Sequence, residues 1–255
     1  MNGHLVTEEY LIGGTPVLAC FNQAECQPRP LVILSHGFQG SKDDLRDKAA
    51  ILASMGYYAV AIDNRGHGDR GGPDFASQVF CDGKLDVHQV RRLIKETADD
   101  IPAIVDHFEK DERVEGQRIA MLGISMGGFV TFRALVVEKR ISVAVTIIAS
   151  PYWDEVPADV PVLAAAEAKE ALAAYAREYA PAHHAEQFFP RPLLVQIAGK
   201  DNHYNVQRVE PFCRELQKLY GDQANRVKLI VHQDVAHEFT TEMWTNGVEW
   251  LQTHL

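Results

Sequence analysis

Cysteine is scarce in this chain. The four present, Cys20, Cys26, Cys81 and Cys213, show no C-x-x-C spacing, which argues against a disulfide scaffold and for free thiols in a reducing compartment. Positive charge is short as well: 25 Lys and Arg against 35 Asp and Glu leave a formal charge of −10. Nucleic acid and anionic membrane surfaces both demand clustered cations, so neither is an expected partner. No apolar run reaches the length that crosses a bilayer. The opening MNGHLVTEEYLIGG lacks the basic and apolar parts of a signal peptide, and a cytoplasmic location is expected. The 11 histidines contain no H-x-x-x-H, H-x-H or H-E-x-x-H arrangement. The adjacent pair His183 and His184 reads as part of a polar loop, and no metal is expected. Internal repeats, low-complexity tracts and flexible linkers are missing too. At 255 residues, one α/β domain over 1–255 suffices.

What is present is a rhythm. The segments His4 to Tyr10 and Thr15 to Phe21, joined by Gly13-Gly14, read as an antiparallel hairpin at a sheet edge. Leu31 to Ser35 is a continuous apolar run of the kind found in buried parallel strands. Ser41 suits an N-cap, with Asp43 and Asp44 in the first turn of a helix that Gly56 ends. Tyr57 to Asp63 makes the next strand. Leu85 to Phe108 has helical apolar spacing with Pro102 inside it. Arg118 to Leu135 reads as strand, turn and helix, and Ile141 to Ala149 as another buried strand. Such alternation implies a mostly parallel sheet with right-handed crossovers and helices on both faces.

Residues 151–190 interrupt that alternation. Pro151, Pro157 and Pro161 punctuate the entry, an Ala- and Glu-rich helix spans about Leu163 to Tyr179, and Phe188, Phe189 and Pro190 close the segment. Its place in the chain, near the carboxyl ends of the strands, suggests a small helical cap over a site. Strand and helix then resume with Leu193 to Ala198, Val206 to Tyr220, Val227 to Val231 and a last helix that buries Trp244, Val248, Leu251 and Leu255.

Two glycine motifs compete for attention. Gly66, Gly68 and Gly71 match G-x-G-x-x-G after a strand, the form that cradles a dinucleotide pyrophosphate. Here Gly72-Pro73 breaks the chain where a helix should open, and no acidic strand end follows at the expected distance. The match therefore predicts an ordered loop in which Arg65 and His67 make structural polar contacts, and no cofactor. The second motif, Gly123-Ile124-Ser125-Met126-Gly127, has the required context: a strand before it and a helix after it. A serine on so tight a turn stands clear of the backbone, and the helix that follows aims unpaired amides and its positive dipole end at the same point.

A serine hydroxyl near neutral pH needs a base, and the base an orienting acid. On a strand-turn-helix of this kind they follow in the order serine, acid, histidine. His237, in the loop before the last helix, is favoured as the base over His232 at the end of the preceding strand. Asp201, just after the strand Leu193 to Ala198, is favoured as the acid; Asp154 is its competitor, and Asp234 lies too close to His237 in the chain. Oxyanion donors are expected at the amides of Met126 and of Phe38, in the turn His36-Gly37-Phe38. His36, Phe38, Tyr152 and Trp153 are the expected pocket residues.

Together, H-G-F, Asp63 to Gly68 as D-x-R-G-H-G, G-I-S-M-G-G, an acid after the penultimate strand and a final V-A-H-E resemble the α/β-hydrolase superfamily over nearly the whole chain. Within it the sequence is similar to small bacterial esterases related to the prolyl-oligopeptidase catalytic domain. It departs from them at Ala198 and Asn205, where glycine and proline are usual. The resemblance implies a serine hydrolase that cleaves a small-molecule carboxylic ester through an acyl-enzyme. A peptidase or amidase using the same triad and a non-catalytic binding protein on the same fold are the alternatives.

Overall fold

The computed structural model describes residues 4–72, 75–163 and 166–255. Pro73, in the predicted chain break, and Ala164 and Ala165, near the start of the predicted cap helix, lie outside the described residues.

How apolar each strand is decides where it sits. Strand β1 (Leu5–Ile12) alternates exposed and half-buried positions, whereas β3 (Arg29–Ser35), β4 (Tyr58–Ile62) and β9 (Leu193–Ala198) are buried at every residue. A strand covered on both faces has no use for a polar side, and one at the edge does. With β2 (Thr15–Asn22), β7 (Val114–Ile124), β8 (Ile141–Ile147) and β10 (Val227–His232) they form an eight-stranded sheet in the order β1-β2-β4-β3-β7-β8-β9-β10. The β1–β2 and β2–β4 pairs are antiparallel and the others parallel.

Helices α1 (Arg46–Ser54) and α7 (Thr241–His254) cover one face, where Leu52, Ala53, Met243 and Leu251 meet Val32, Leu34 and Val145. On the other face lie α3 (Val87–Phe108), α4 (Met126–Val137) and α6 (Val206–Tyr220), which bury Ile101, Phe108, Phe132 and Phe212 against Leu31, Ile33 and Met121. Helix α4 is buried continuously from Met126 to Leu135, because it lies between the sheet and α3. Asp86 caps α3 by accepting the Gln89 amide at 3.0 Å. No helix among the described residues is long and apolar enough to cross a membrane.

After β3 the chain moves to one side for β4, then returns to the other side for β7. Loops leaving β3 and β7 therefore diverge, and a crevice opens between their carboxyl ends, as in other open α/β sheets. The predicted turns at Phe38 and Ser125 both lie there.

Two stretches differ from the sequence reading. The glycine-rich loop after β4 carries a short helix α2 (Phe75–Val79) and a two-stranded hairpin of β5 (Phe80–Cys81) and β6 (Lys84–Leu85), elements too short to leave a period. Within 151–190, helix α5 (Ala166–Tyr179) packs against α3, with Tyr175 edge-on to His88. The extended run before it crosses toward the crevice instead: Leu85 donates to the Pro161 carbonyl at 2.8 Å, and Ala158 to that of Asn202 at 2.8 Å.

Candidate active site

β7 ends at Ile124 and α4 begins at Met126, so one residue makes the whole turn. That residue, Ser125, has φ 53° and ψ −116°, a conformation that costs an L residue about 1–3 kcal/mol and persists only where neighbours enforce it. The neighbours here are backbone. A Cβ on Gly123 would strike the carbonyl of Gly127, and one on Gly127 the carbonyl of Ser35. The Ser125 amide is tied to the Ile147 carbonyl at 2.9 Å, while its own carbonyl accepts from Gly128 at 2.8 Å and starts α4.

The side chain faces a histidine. Ser125 Oγ lies 2.8 Å from His237 Nε2, and His237 Nδ1 lies 2.8 Å from Asp201 Oδ2. The Asp201 side chain is fully buried. Burial resists its ionisation, but hydrogen bonds from His203 and His237 and from the His203 amide outweigh it and hold the carboxyl at about 2. An ionised carboxylate only accepts, so His237 carries its proton on Nδ1 and leaves Nε2 free to accept from Ser125. The loops bearing acid and histidine are laced together: Gly199 donates to the His232 carbonyl at 2.9 Å and Lys200 to that of Val235 at 2.9 Å. Gly199 has no room for a side chain, since a Cβ would lie 2.7 Å from the Gln233 carbonyl oxygen.

Opposite Ser125, residues Gly37 to Gly40 form a turn closed by Gly40 N to Gly37 O at 3.1 Å, with Gln39 at φ 63°. Among the described residues, the amides of Phe38 and Met126 donate to no protein acceptor. His36 holds this turn from beneath. Its Nε2 accepts the Asn64 amide at 3.1 Å, and its carbonyl accepts Asn64 Nδ2 at 2.9 Å. Burial pushes the His36 imidazole down to about 4 despite a contact with the Gly37 carbonyl, so it is neutral at pH 7.

Residues 26–188 match the family described as serine aminopeptidase, S33 (Hydrolase_4). The chain belongs to this family. It is 26% identical over 239 residues to a Bacillus subtilis protein named "Putative esterase YitV", with 89% of each chain covered. Its fold matches that of TT1662 from Thermus thermophilus at a TM-score of 0.78 and 24% identity over 98% of each chain. A cold-adapted esterase from an Arctic intertidal metagenomic library matches at 0.65 and 21%, over 98% of this chain and 94% of the other. The chain is thus an α/β hydrolase with relatives of esterase name.

In this S33-family member Ser125 and His237 line a cavity of about 510 Å³ whose walls are largely apolar. Val87, Val90, Arg91 and Ile94 of α3 supply one side; Phe38, Phe80, Phe129 and Phe239 close others, and Pro157 and Val160 are what residues 151–190 add. Of the predicted pocket residues only Phe38 lines it. His36 is sealed below its turn, Trp153 is fully buried against Tyr175, and Tyr152 lies under the Arg208 guanidinium at 3.8 Å.

The competitors for the triad positions are engaged elsewhere. Asp154 pairs with Arg208 at 2.9 Å, Asp234 with Lys200 at 2.9 Å, and His232 Nε2 meets Gln196 Oε1 at 3.2 Å. Arg65, as predicted, makes a structural contact, a forked pair with Asp100 at 2.8 and 2.6 Å.

Two residues at the site escaped the sequence reading. His203 stacks on His237 with ring centroids 3.9 Å apart, and the Asp201 carboxylate beside it, opposed by burial and helped by Asp159, raises its pKa. Nothing in the spacing from Asp201 announces it. Arg91 could have been noticed, as an arginine on the same helical stripe as Val87, Val90 and Ile94. Asp201, His203 and His237 also bring one donor atom each within 4.8 Å of one another, and two of these residues, Asp201 and His237, are hydrogen-bonded to each other.

Proposed function

We propose that this protein is a serine hydrolase that cleaves carboxylic esters through an acyl-enzyme, with Ser125, His237 and Asp201 as its triad. The observation that carries the reading is the unbroken chain of two 2.8 Å hydrogen bonds from Ser125 Oγ to the buried Asp201 carboxylate, opening on an apolar cavity. Ser125 Oγ attacks the ester carbonyl as its proton passes to His237 Nε2. Asp201 holds the Nδ1 proton and stabilises the imidazolium that forms. The tetrahedral oxyanion accepts from the amides of Phe38 and Met126, which have no other acceptor to give up. Collapse expels the alcohol with the proton from His237. Water then gives a proton to His237 as it attacks the acyl group, and collapse releases the acid as His237 returns that proton to Ser125 Oγ. Residues 151–190 act as a partial cap whose share of the wall is Pro157 and Val160.

The family description names an aminopeptidase, and the same triad would serve amide cleavage. An aminopeptidase must hold a free α-ammonium, which calls for a carboxylate in the pocket. Among the described residues the lining contains none, and its full charge is the arginine Arg91. Esters are therefore the better-matched substrates. A panel of p-nitrophenyl esters of increasing chain length, run beside amino-acyl p-nitroanilides, tests the reading. Turnover of the esters and labelling of Ser125 by a fluorophosphonate are expected. Cleavage of the anilides in preference to every ester sinks the ester assignment.

A further inference from the structure

Arg91 is 5% exposed, and among the described residues it is, apart from two imidazoles, the only ionisable side chain lining the cavity. Its own protein contacts are few. Among the described residues Nε has no acceptor, and one terminal nitrogen makes a single long hydrogen bond, 3.3 Å, to the Glu155 carbonyl. The nearby carboxylates of Asp154 and Glu155 are held by Arg208, at 2.9 and 3.2 Å, and among the described residues none forms an ion pair with Arg91. The guanidinium lies instead over the Phe129 ring, 4.3 Å from its centroid.

Arg191 shows what a structural buried arginine looks like in this chain. It is 7% exposed, and it donates to the carbonyls of Phe188, Glu138, Leu135 and Gln187. Those carbonyls absorb its donors. Arg91 has the same burial without the acceptors, on the face of α3 that carries the apolar wall. Burial lowers its pKa, but only to about 10, so it stays charged at neutral pH. A buried cation with idle donors is costly unless something pairs with it.

We propose that Arg91 is the anion-binding residue of this cavity, and that the esters the protein cleaves carry a carboxylate remote from the scissile bond. The inference rests on the reading of Ser125 as the nucleophile. A carboxylate accepts two parallel N–H bonds from a guanidinium, and the apolar surroundings with Phe129 beneath strengthen such a pair by excluding water. Neutral esters of the same length would leave the arginine unmet, and a site built for a polar group discriminates sharply against an analogue that lacks it.

The test compares kcat/KM for p-nitrophenyl hydrogen adipate, suberate and sebacate with the hexanoate, octanoate and decanoate, in which a methyl replaces the carboxylate. Uncatalysed hydrolysis is subtracted. A second arm puts the charge on the alcohol, 4-acetoxybenzoate against 4-methylphenyl acetate. Wild type should favour the anionic ester in at least one pair by roughly ten- to hundredfold, mainly through KM, the worth of a charged hydrogen bond. Arg91→Gln should bring that ratio to one or below, and Arg91→Lys should restore part of it. A merely structural arginine would lower both members of a pair alike. If Arg91→Gln does not fold, inhibition of wild type decides: free suberate should compete with the neutral ester more strongly than octanoate does. Equal turnover of both members in every pair, or a ratio unchanged in Arg91→Gln, overturns the role of Arg91 and leaves the esterase reading standing. No turnover of any ester and no labelling of Ser125 would overturn that reading, and this inference with it.

Discussion

Two glycine-rich turns follow parallel strands of this sheet, and they are crowded by different things. After β7, the space beside Gly123 and Gly127 is filled by main-chain carbonyls, of Gly127 and Ser35. After β4, the space beside Gly68 is filled by the carboxylate of Asp63, which accepts the amides of Lys42 at 2.7 Å and Asp69 at 2.9 Å. In the first turn the crowding forces a serine outward and leaves the Met126 amide unspent. In the second the anion is already in place and belongs to the protein. A Gly-rich turn is thus diagnosed by what occupies it: backbone crowding makes a tip on which chemistry can stand, and an internal carboxylate makes a closed loop.

The largest effect should come at the tip. If Ser125 is the nucleophile we propose, Ser125→Ala is expected to lower ester turnover by about a thousandfold or more, since His237 and Asp201 would have no hydroxyl to activate. Thermal stability should be unchanged, because Oγ bonds only His237 and the turn is held by backbone. Retention of wild-type turnover would reduce the first turn to the status of the second.

Next in size are the crowding groups. Asp63→Ala removes a fully buried carboxylate and strips Lys42 Nζ, 3.6 Å away, of one partner, for a loss of about 3 kcal/mol in denaturant unfolding. Gly68→Ala should also destabilise, since its Cβ would strike Asp63. The two changes should be less than additive by about 1–3 kcal/mol, because deleting the carboxylate frees the space. Gly127→Ala has no such remedy. Ser35→Ala leaves the obstructing carbonyl in place, so that pair should show no favourable coupling, and rescue there would erase the distinction between the turns.

Most of this was legible in the chain. Runs such as Leu31 to Ser35 and Leu193 to Ala198 are apolar without alternation because both faces are covered, and that pattern alone places them inside a parallel sheet. The positions of Ser125, Asp201 and His237 followed from strand ends. What stayed hidden depends on side-chain direction across distant elements. That Trp153 turns into the core while Arg91 turns into the cavity is settled by packing between α3, α5 and the run 155–163, which no local period encodes. The short α2 and the β5–β6 hairpin were missed for a simpler reason: five residues and two pairs of two carry too little pattern.

A smaller effect separates the two buried aspartates by purpose. Asp201 has a folded pKa of about 2, below the roughly 3.9 of an unfolded chain. Its contribution, about 2 kcal/mol, is therefore complete above about pH 5 and is lost as pH falls toward 2. Unfolding of wild type and Asp201→Asn, compared from neutral pH downward, should converge by that amount across this window. A stability difference that stays constant with pH would mean that Asp201 is not held ionised by its histidines.

The smallest expected effect is none at all. If Asp63 fills the cradle of Gly66 to Gly71, a pyrophosphate would have to displace an anion that already holds the Lys42 and Asp69 amides and pairs with Lys42 Nζ. It would also enter a loop with no long helix opening behind it: Gly68–Arg70 is a single tight turn, which offers no dipole to receive a phosphate. Titration with NADH up to about 1 mM should give no saturable change in fluorescence, which bounds binding at weaker than about −4 kcal/mol. Saturation in the micromolar range would show that the carboxylate can leave, and that the second turn is a site as open as the first.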